Sequence, residues 1–220
     1  MTTDRSVIID SLGVGLATGL YGISFGAIST ASGLSILQTC ALSLVVFTGA
    51  SQFAFIGVIA SGGNPLTGAL TAVLLGSRNM FYGLSLAQRL DLDGPQRLAS
   101  AHFVIDESTA MAVTRETPHQ TRLGFYWTGI SIFVLWNLST FLGALAGNQI
   151  GDPQTYGLDA AVGAAFLGLL WPRLASWHSR LVAFFAAVVA LGLVPITVPG
   201  MPIILGGGAA VVLGMVWRRP

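Results

Sequence analysis

Lysine is absent from the 220-residue chain, cysteine occurs once, at Cys40, and charged residues make up only 9%. An ordinary soluble domain is about 25% charged, so this chain lacks the groups to cover a globular surface in water. Basic and acidic residues nearly balance, at 10 against 9, for a net charge of +1. That leaves no basic surface for nucleic acid. One cysteine inside an apolar run excludes a disulfide framework and a cysteine-ligated metal site, and no cofactor is expected. Also missing are the stretches of about ten residues with alternating polarity that a membrane β-barrel needs.

What the chain has instead is hydrophobic sequence, 53% of it, with a mean hydropathy of +0.75. The apolar residues gather in runs at roughly 7–28, 34–60, 66–88, 98–113, 123–146, 158–174, 181–198 and 201–217. Each is near the ~20 residues that cross about 30 Å of hydrocarbon. Backbone groups in lipid must pair within their own segment, so these runs read as helices. The sequence predicts an all-α, polytopic integral membrane protein with about seven to eight membrane segments, some of them discontinuous. A single transmembrane transporter domain would fill residues 1–220 and leave no room for a soluble one. The first run lacks a small-residue cleavage site and reads as an uncleaved span.

Charge collects between the runs. Arg89, Asp91, Asp93 and Arg97 mark one linker, with Gly94-Pro95 as its turn signal. Arg115, Glu116, His119 and Arg122 mark the next, Arg173, His178 and Arg180 a third, and Arg218-Arg219 close the chain. Arginine accumulates in cytoplasmic loops. The third linker and the tail are two segments apart and both fit the cytoplasm, which puts the C-terminus there. The first two linkers conflict, because one segment separates them and they should face opposite sides. Either 98–113 does not span, or the 89–97 linker escapes the rule because its two Arg are balanced by two Asp.

Glycine is abundant, at 28 residues. Small residues let helices pack closely in lipid, and Gly13, Gly15, Gly19, Gly22 and Gly26 read as such a packing face. A short echo relates Tyr21-Gly22-Ile23-Ser24-Phe25 to Tyr82-Gly83-Leu84-Ser85-Leu86, and transporters are often built from repeats.

Three places interrupt the apolar pattern. Gly49-Ala50-Ser51-Gln52-Phe53 falls in the middle of the second run, where glutamine wants partners and the small residues invite unwinding or a close helix contact. Gly76-Ser77-Arg78-Asn79, followed by Tyr82-Gly83, falls in the third. Arginine at the bilayer centre costs roughly 2.5–3.5 kcal/mol on insertion scales, so Arg78 should face a cavity or a carboxylate. Asp106-Glu107 falls in the fourth. The plainest role for these charges is a buried ion pair that fixes helix register. Adjacent acids point ~100° apart on a helix, so one arginine cannot satisfy both, and one acid is left to carry a proton or hold an amine. Ionisable groups at this depth mark functional sites by default.

At these residues the chain resembles the AzlC family, the larger subunit of bacterial branched-chain amino acid exporters. The resemblance rests on Thr48-Gly49-Ala50-Ser51-Gln52-Phe53, on Arg78-Asn79-Met80-Phe81-Tyr82-Gly83-Leu84-Ser85-Leu86 and on Asp106-Glu107-Ser108, and it covers nearly the whole chain. It implies export of hydrophobic amino acids such as valine, leucine, isoleucine or methionine across the bacterial inner membrane. It also implies a second, small multispanning subunit of the AzlD type. Two positions depart from the family: many members have Asp or Asn at the position of Gly76 and His at that of Asn79. If that His carried protons, this chain must use Asp106 or Glu107, or couple differently.

An amino acid is a zwitterion, so its site needs both signs of charge. Arg78, or unwound backbone N–H groups near Ser51, would hold the carboxylate, and Asp106 or Glu107 the ammonium group or a proton. Phe53 and Phe81 would suit an aliphatic side chain. Competing classes are a passive channel and a non-transporting assembly subunit. An intramembrane enzyme fits poorly. Ser51 is followed by Gln52 rather than Gly, Asp106-Glu107 is not a separated aspartate pair, and His102 alone reads as a hydrogen-bonded structural residue. Trp136 and Asn137 either line the cavity or pack, and Trp171, Trp177 and Trp217 read as interface anchors.

Overall fold

The computed structural model describes residues 3–150, 167 and 170–217. Every regular element among them is helical. They are α1 (Asp4–Leu20), α2 (Gly22–Ala31), α3 (Ile36–Val45), α4 (Gly49–Ala60), α5 (Pro65–Leu90), α6 (Gly94–Ala101), α7 (Asp106–Val113), α8 (Pro118–Ile150), a 3-10 turn (Trp171–Leu174), α9 (Trp177–Leu193) and α10 (Met201–Val216). Most of the expected 158–174 segment and the Arg218-Arg219 tail lie outside the described residues.

Polar caps set several boundaries. Thr3 accepts a hydrogen bond from Ser6 N–H at the start of α1, Ser35 and Gln38 form a reciprocal capping box on α3, and Ser176 accepts from Ser179 N–H on α9. Asn64 caps α5 just ahead of Pro65, whose missing N–H costs nothing in a first turn. Between α1 and α2 only Tyr21 departs, and mildly, so Asp4–Ala31 runs as one rod of 28 residues. With Pro118–Gly147, 30 residues, it is long and apolar enough to cross a membrane.

These two rods form the backbone of the molecule. Gly15 lies against Ser131, Gly19 against Leu135, Gly22 against the Trp136 carbonyl and Gly26 against Thr140 and Ala144. From the other side, Gly143 meets the Ile23 backbone and Gly147 meets Ala27 and Thr30. Lipid gives no hydrophobic drive for helices to associate, so close backbone approach through small residues supplies it. Gly13, expected on this face, has open space around it. It does not belong to the stripe.

The second apolar run, read as one crossing, and the fourth, for which the sequence leaves crossing open, are not single rods. Each is broken in the middle and doubles back. Residues 46–48 separate α3 from α4, with Val46 and Thr48 out of helical geometry. Contacts trace the course: Ser29 bonds Thr39 at 2.8 Å near the end of α2, and Phe47 packs on Phe133 in the middle of α8. The chain then returns along the first half of α5, where Ser51 faces Gly76 and Phe55 faces Gly68. Residues 102–105 separate α6 from α7, and this hairpin enters from the opposite end. Ser100 bonds Tyr126 at 2.7 Å on the way in, Phe103 packs on Phe133 at the tip, and Met111 lies against Gly124 on the way out. At ~1.5 Å per residue, helices of 10, 12, 8 and 8 residues reach only about half-way through a bilayer.

The two tips meet. Phe47 and His102 are 5.8 Å apart, and both pack on Phe133. His102, read as a hydrogen-bonded residue, is held by rings instead. Around the tips lies one buried core of Phe25, Phe47, Phe53, Ile56, Ile105, Ile132 and Trp136.

Because both hairpins return to the end they left, the ends of the molecule sort themselves. Arg122 donates to the carbonyls of Leu90 and Asp91 at 2.7 and 3.1 Å, so the 89–97 and 115–122 linkers share one end. Asp4 and Asp10 reach His119 and Arg115 there. Gly200, in the turn between α9 and α10, lies against Thr67 and Thr71 at the far end of α5, while Trp217 returns to His178. Among the described residues, Arg5, Arg89, Arg97, Arg115, Arg122, Arg173 and Arg180 all lie toward one end, and the turns at the other end, 32–35, 61–64 and 194–200, carry no charge.

Candidate functional site

The unbroken α5 carries Arg78 and Tyr82 one turn apart, so both point to one side. Gly76-Ser77-Arg78-Asn79 interrupts the apolar pattern without interrupting the helix. The break ahead of α7 delivers Asp106 to that side. Ser108 makes the break possible: its hydroxyl donates to the Phe103 carbonyl at 2.5 Å and accepts from Ile105 N–H at 3.2 Å, pairing backbone groups that unwinding frees.

Asp106 is the hub. Its Oδ2 lies 2.5 Å from Arg78 Nη2, and its Oδ1 accepts from the Tyr82 hydroxyl at 2.9 Å. Arg173 completes the group from outside: its Nη2 donates to Tyr82 Oη at 2.5 Å and stands 3.5 Å from Asp106 Oδ1. Exposure grades across the cluster, from 17% for the Asp106 side chain through 25% for Arg78 to 59% for Arg173. The group is therefore not sealed within the described chain. Glu107 makes no ion pair among the described residues, as the divergence of adjacent helical side chains requires.

Arg173 was legible only as a loop charge. Its single signal is position: it follows Leu170-Trp171-Pro172 at the edge of an apolar run, with no acid near it in sequence to pair with.

The remaining expected residues fall elsewhere. Gly49, Ala50, Ser51, Gln52 and Phe53 open α4, where Gly49 takes the Trp136 ring against its Cα and Phe53 packs among Tyr21, Phe25 and Trp136. Phe53 is thus a core residue, and Phe81, 64% exposed, faces outward; neither lines the cluster. Gly76, which meets Ser51, and Arg78 lie about 200° apart around α5. The α4 start and the Asp106 cluster consequently flank α5 rather than share one chamber. Gly83 lines a cleft of about 240 Å³ between α5 and α6, with Met80, Ala87, Arg97, Ser100 and Val104, on the side of α5 away from Arg78.

At the depth of the tips several buried polar atoms have no hydrogen-bond partner among the described residues: Ser51 Oγ, both amide atoms of Gln52, Arg78 Nε, Asn79 Oδ1, Thr109 Oγ1, Trp136 Nε1 and Asn137 Oδ1. Native interiors leave few such atoms, and a concentration of them is accounted for by water or a polar ligand.

A family model described as AzlC protein matches residues 13–150, which hold both hairpins and all three motifs. The chain belongs to the AzlC family. Curated relatives agree with this. The branched-chain amino acid transport protein AzlC of Bacillus subtilis (strain 168) is 22% identical over 193 residues, 84% of this chain and 76% of that protein. The inner membrane protein YgaZ of Escherichia coli (strain K12) is 27% identical over 210 residues, 90% of this chain and 83% of the relative. An uncharacterized membrane protein of Archaeoglobus fulgidus is 30% identical over 186 residues, 84% and 82% of the two chains. No solved structure matches. The chain is a transport-related membrane protein of the AzlC family, and its Arg173 lies beyond the part that the family model covers.

Proposed function

We propose that this AzlC-family chain is a transporter subunit that exports aliphatic amino acids such as leucine, isoleucine and valine, driven by a proton gradient and working with a small AzlD-like membrane subunit. The observation that carries the reading is the Arg78–Asp106 pair at a helix break, 2.5 Å long with both side chains still partly exposed. A pair that served only to fix helix register would be closed and fully matched. Here a zwitterion finds both charges it needs, arranged so that it can displace one partner of Asp106 without leaving a net charge in lipid. The printed name of the Bacillus subtilis relative supports the substrate class.

In this reading Arg78 anchors the site, Asp106 receives the substrate ammonium, and Glu107, without an ion pair, exchanges the proton. The α4 start, with Ser51, Gln52 and the N–H groups of its first turn, is a second polar group on the other flank of α5. Among the described residues α1–α2, α5, α8, α9 and α10 are read as crossings, and the two re-entrant hairpins approach from opposite faces of one transporter domain. Such opposed elements, meeting at mid-depth, suit alternating access.

The test uses vesicles holding this chain with its small subunit and an imposed proton gradient. The parent concentrates leucine, whereas Arg78→Ala with Asp106→Asn, still present in the membrane at parental amount, does not. Parental accumulation by that double variant would refute the site. Leucine movement without accumulation in the parent would mean a channel, and no movement an assembly subunit.

A further inference from the structure

The cluster holds one cation more than Asp106 needs. Arg78 already neutralises it through Oδ2 at 2.5 Å, while Arg173 stands at the other oxygen at 3.5 Å, and is tied more closely to the Tyr82 hydroxyl, at 2.5 Å. Arg173 is also the most exposed member and belongs to a short 3-10 turn. Its guanidinium therefore occupies, loosely and from the open side, the seat a substrate ammonium would take.

We infer that Arg173 is a specificity-determining residue that reads the α-carboxylate of the transported amino acid. This rests on the transporter reading above. The incoming ammonium takes the place of Arg173 at Asp106 Oδ1. The guanidinium, released but held close by its turn, closes its donor fork on the α-carboxylate, an acceptor matched to two parallel N–H groups. Charge is conserved at every stage: a zwitterion enters, one guanidinium changes partner, and Arg78–Asp106 persists. The consequence is a requirement for both ends of the amino acid. An amine without a carboxylate leaves Arg173 displaced and unpaired, and an acid without an amine cannot release it from Asp106.

The experiment is competition against radiolabelled leucine in proteoliposomes of the chain with its small subunit, using leucine, isoamylamine (leucine without its carboxylate) and isocaproate (leucine without its amine). In the parent, leucine competes far better than isoamylamine. In Arg173→Gln that preference falls by roughly ten- to a hundredfold, the worth of a charge-assisted hydrogen bond, with isoamylamine competing as well as before or better. Arg173→Lys, which keeps the charge and loses the fork, gives an intermediate preference, and it serves as the deciding variant should Arg173→Gln fail to assemble. An unchanged leucine-to-isoamylamine ratio in whichever variant assembles overturns the inference while leaving the transporter reading intact. Failure of the parent to bind or move leucine refutes the transporter reading itself.

Discussion

Among the residues, Asp106 and Glu107 show how a one-residue step separates two roles. Asp106 has two guanidiniums and a tyrosine hydroxyl around it. Glu107, about 100° further round α7, has no ion-pair partner among the described residues. An acid that already neutralises fixed cations would leave them unpaired if it took a proton, whereas one without a pair has no such penalty. Glu107→Gln should therefore abolish leucine accumulation driven by a pH gradient while sparing exchange of labelled for unlabelled leucine across the membrane. Gradient-driven accumulation at the parental level would show that Glu107 carries no coupling proton. The sequence anticipated different partners for the two acids because adjacent side chains diverge on a helix. It could not reveal Arg173, whose partner lies 67 positions earlier in the chain and is met only after the fold has formed. Phe53 and Phe81 misled for a related reason: an aromatic next to a polar motif shares its backbone position, not its direction.

At the scale of elements, close packing of α1–α2 on α8 rests on backbone approach, and one stripe of glycines divides into members that matter and one that does not. A Cβ at Gly26 would stand 2.6 Å from Ala144 N and closer still to the Thr140 carbonyl, backbone atoms that cannot rotate away. At Gly13 it would meet nothing within 4 Å. Gly26→Ala should cost about 1–3 kcal/mol, the usual penalty of overpacking, and Gly13→Ala should cost nothing, both read as thermal unfolding in detergent. Equal melting temperatures for the two variants would remove the argument. The sequence displays such a stripe plainly. The hairpins were half legible. Gly-Ala-Ser and Asp-Glu in apolar surroundings signalled a disturbance, and the sequence suggested discontinuous segments, but 27 and 16 apolar-rich residues satisfy a length criterion for crossing whether or not the chain turns round inside. What decides is the polar brace at the break, and Ser108, which supplies it in the second hairpin, looks like any other small residue in the sequence. The echo around Tyr21 and Tyr82 gains a setting here, since both tyrosines lie 17 residues after the start of their rods, at Asp4 and Pro65, and both stand beside a hairpin. Their partners have diverged, with Tyr21 on Phe53 in the core and Tyr82 on Asp106.

On the scale of the whole molecule the arginines settle into one pattern that no linear count yields. Counting each apolar run as a crossing sets the 89–97 and 115–122 linkers on opposite faces and breaks the charge rule. Folding 98–113 back on itself puts them together, and Arg122 bonded to Leu90 and Asp91 is the contact that does so. Translocating arginine is costly, and positively charged ends stay in the cytoplasm. The end that holds Arg89, Arg97, Arg115, Arg122, Arg173 and Arg180 should accordingly be cytoplasmic, together with the start of α1 and the end of α10, and the uncharged turns should face outward. The check is single cysteines in a Cys40→Ala background, probed in intact cells with a membrane-impermeant thiol reagent. Ser61→Cys should react from outside, while Gln96→Cys and Glu116→Cys should react only once the cells are opened. All three positions are exposed, so silence in intact cells reports sidedness and not burial. If Gln96→Cys and Glu116→Cys react from different sides, 98–113 crosses after all, the second hairpin is not re-entrant, and Asp106 is not carried to Arg78 by a chain that turns back at mid-depth.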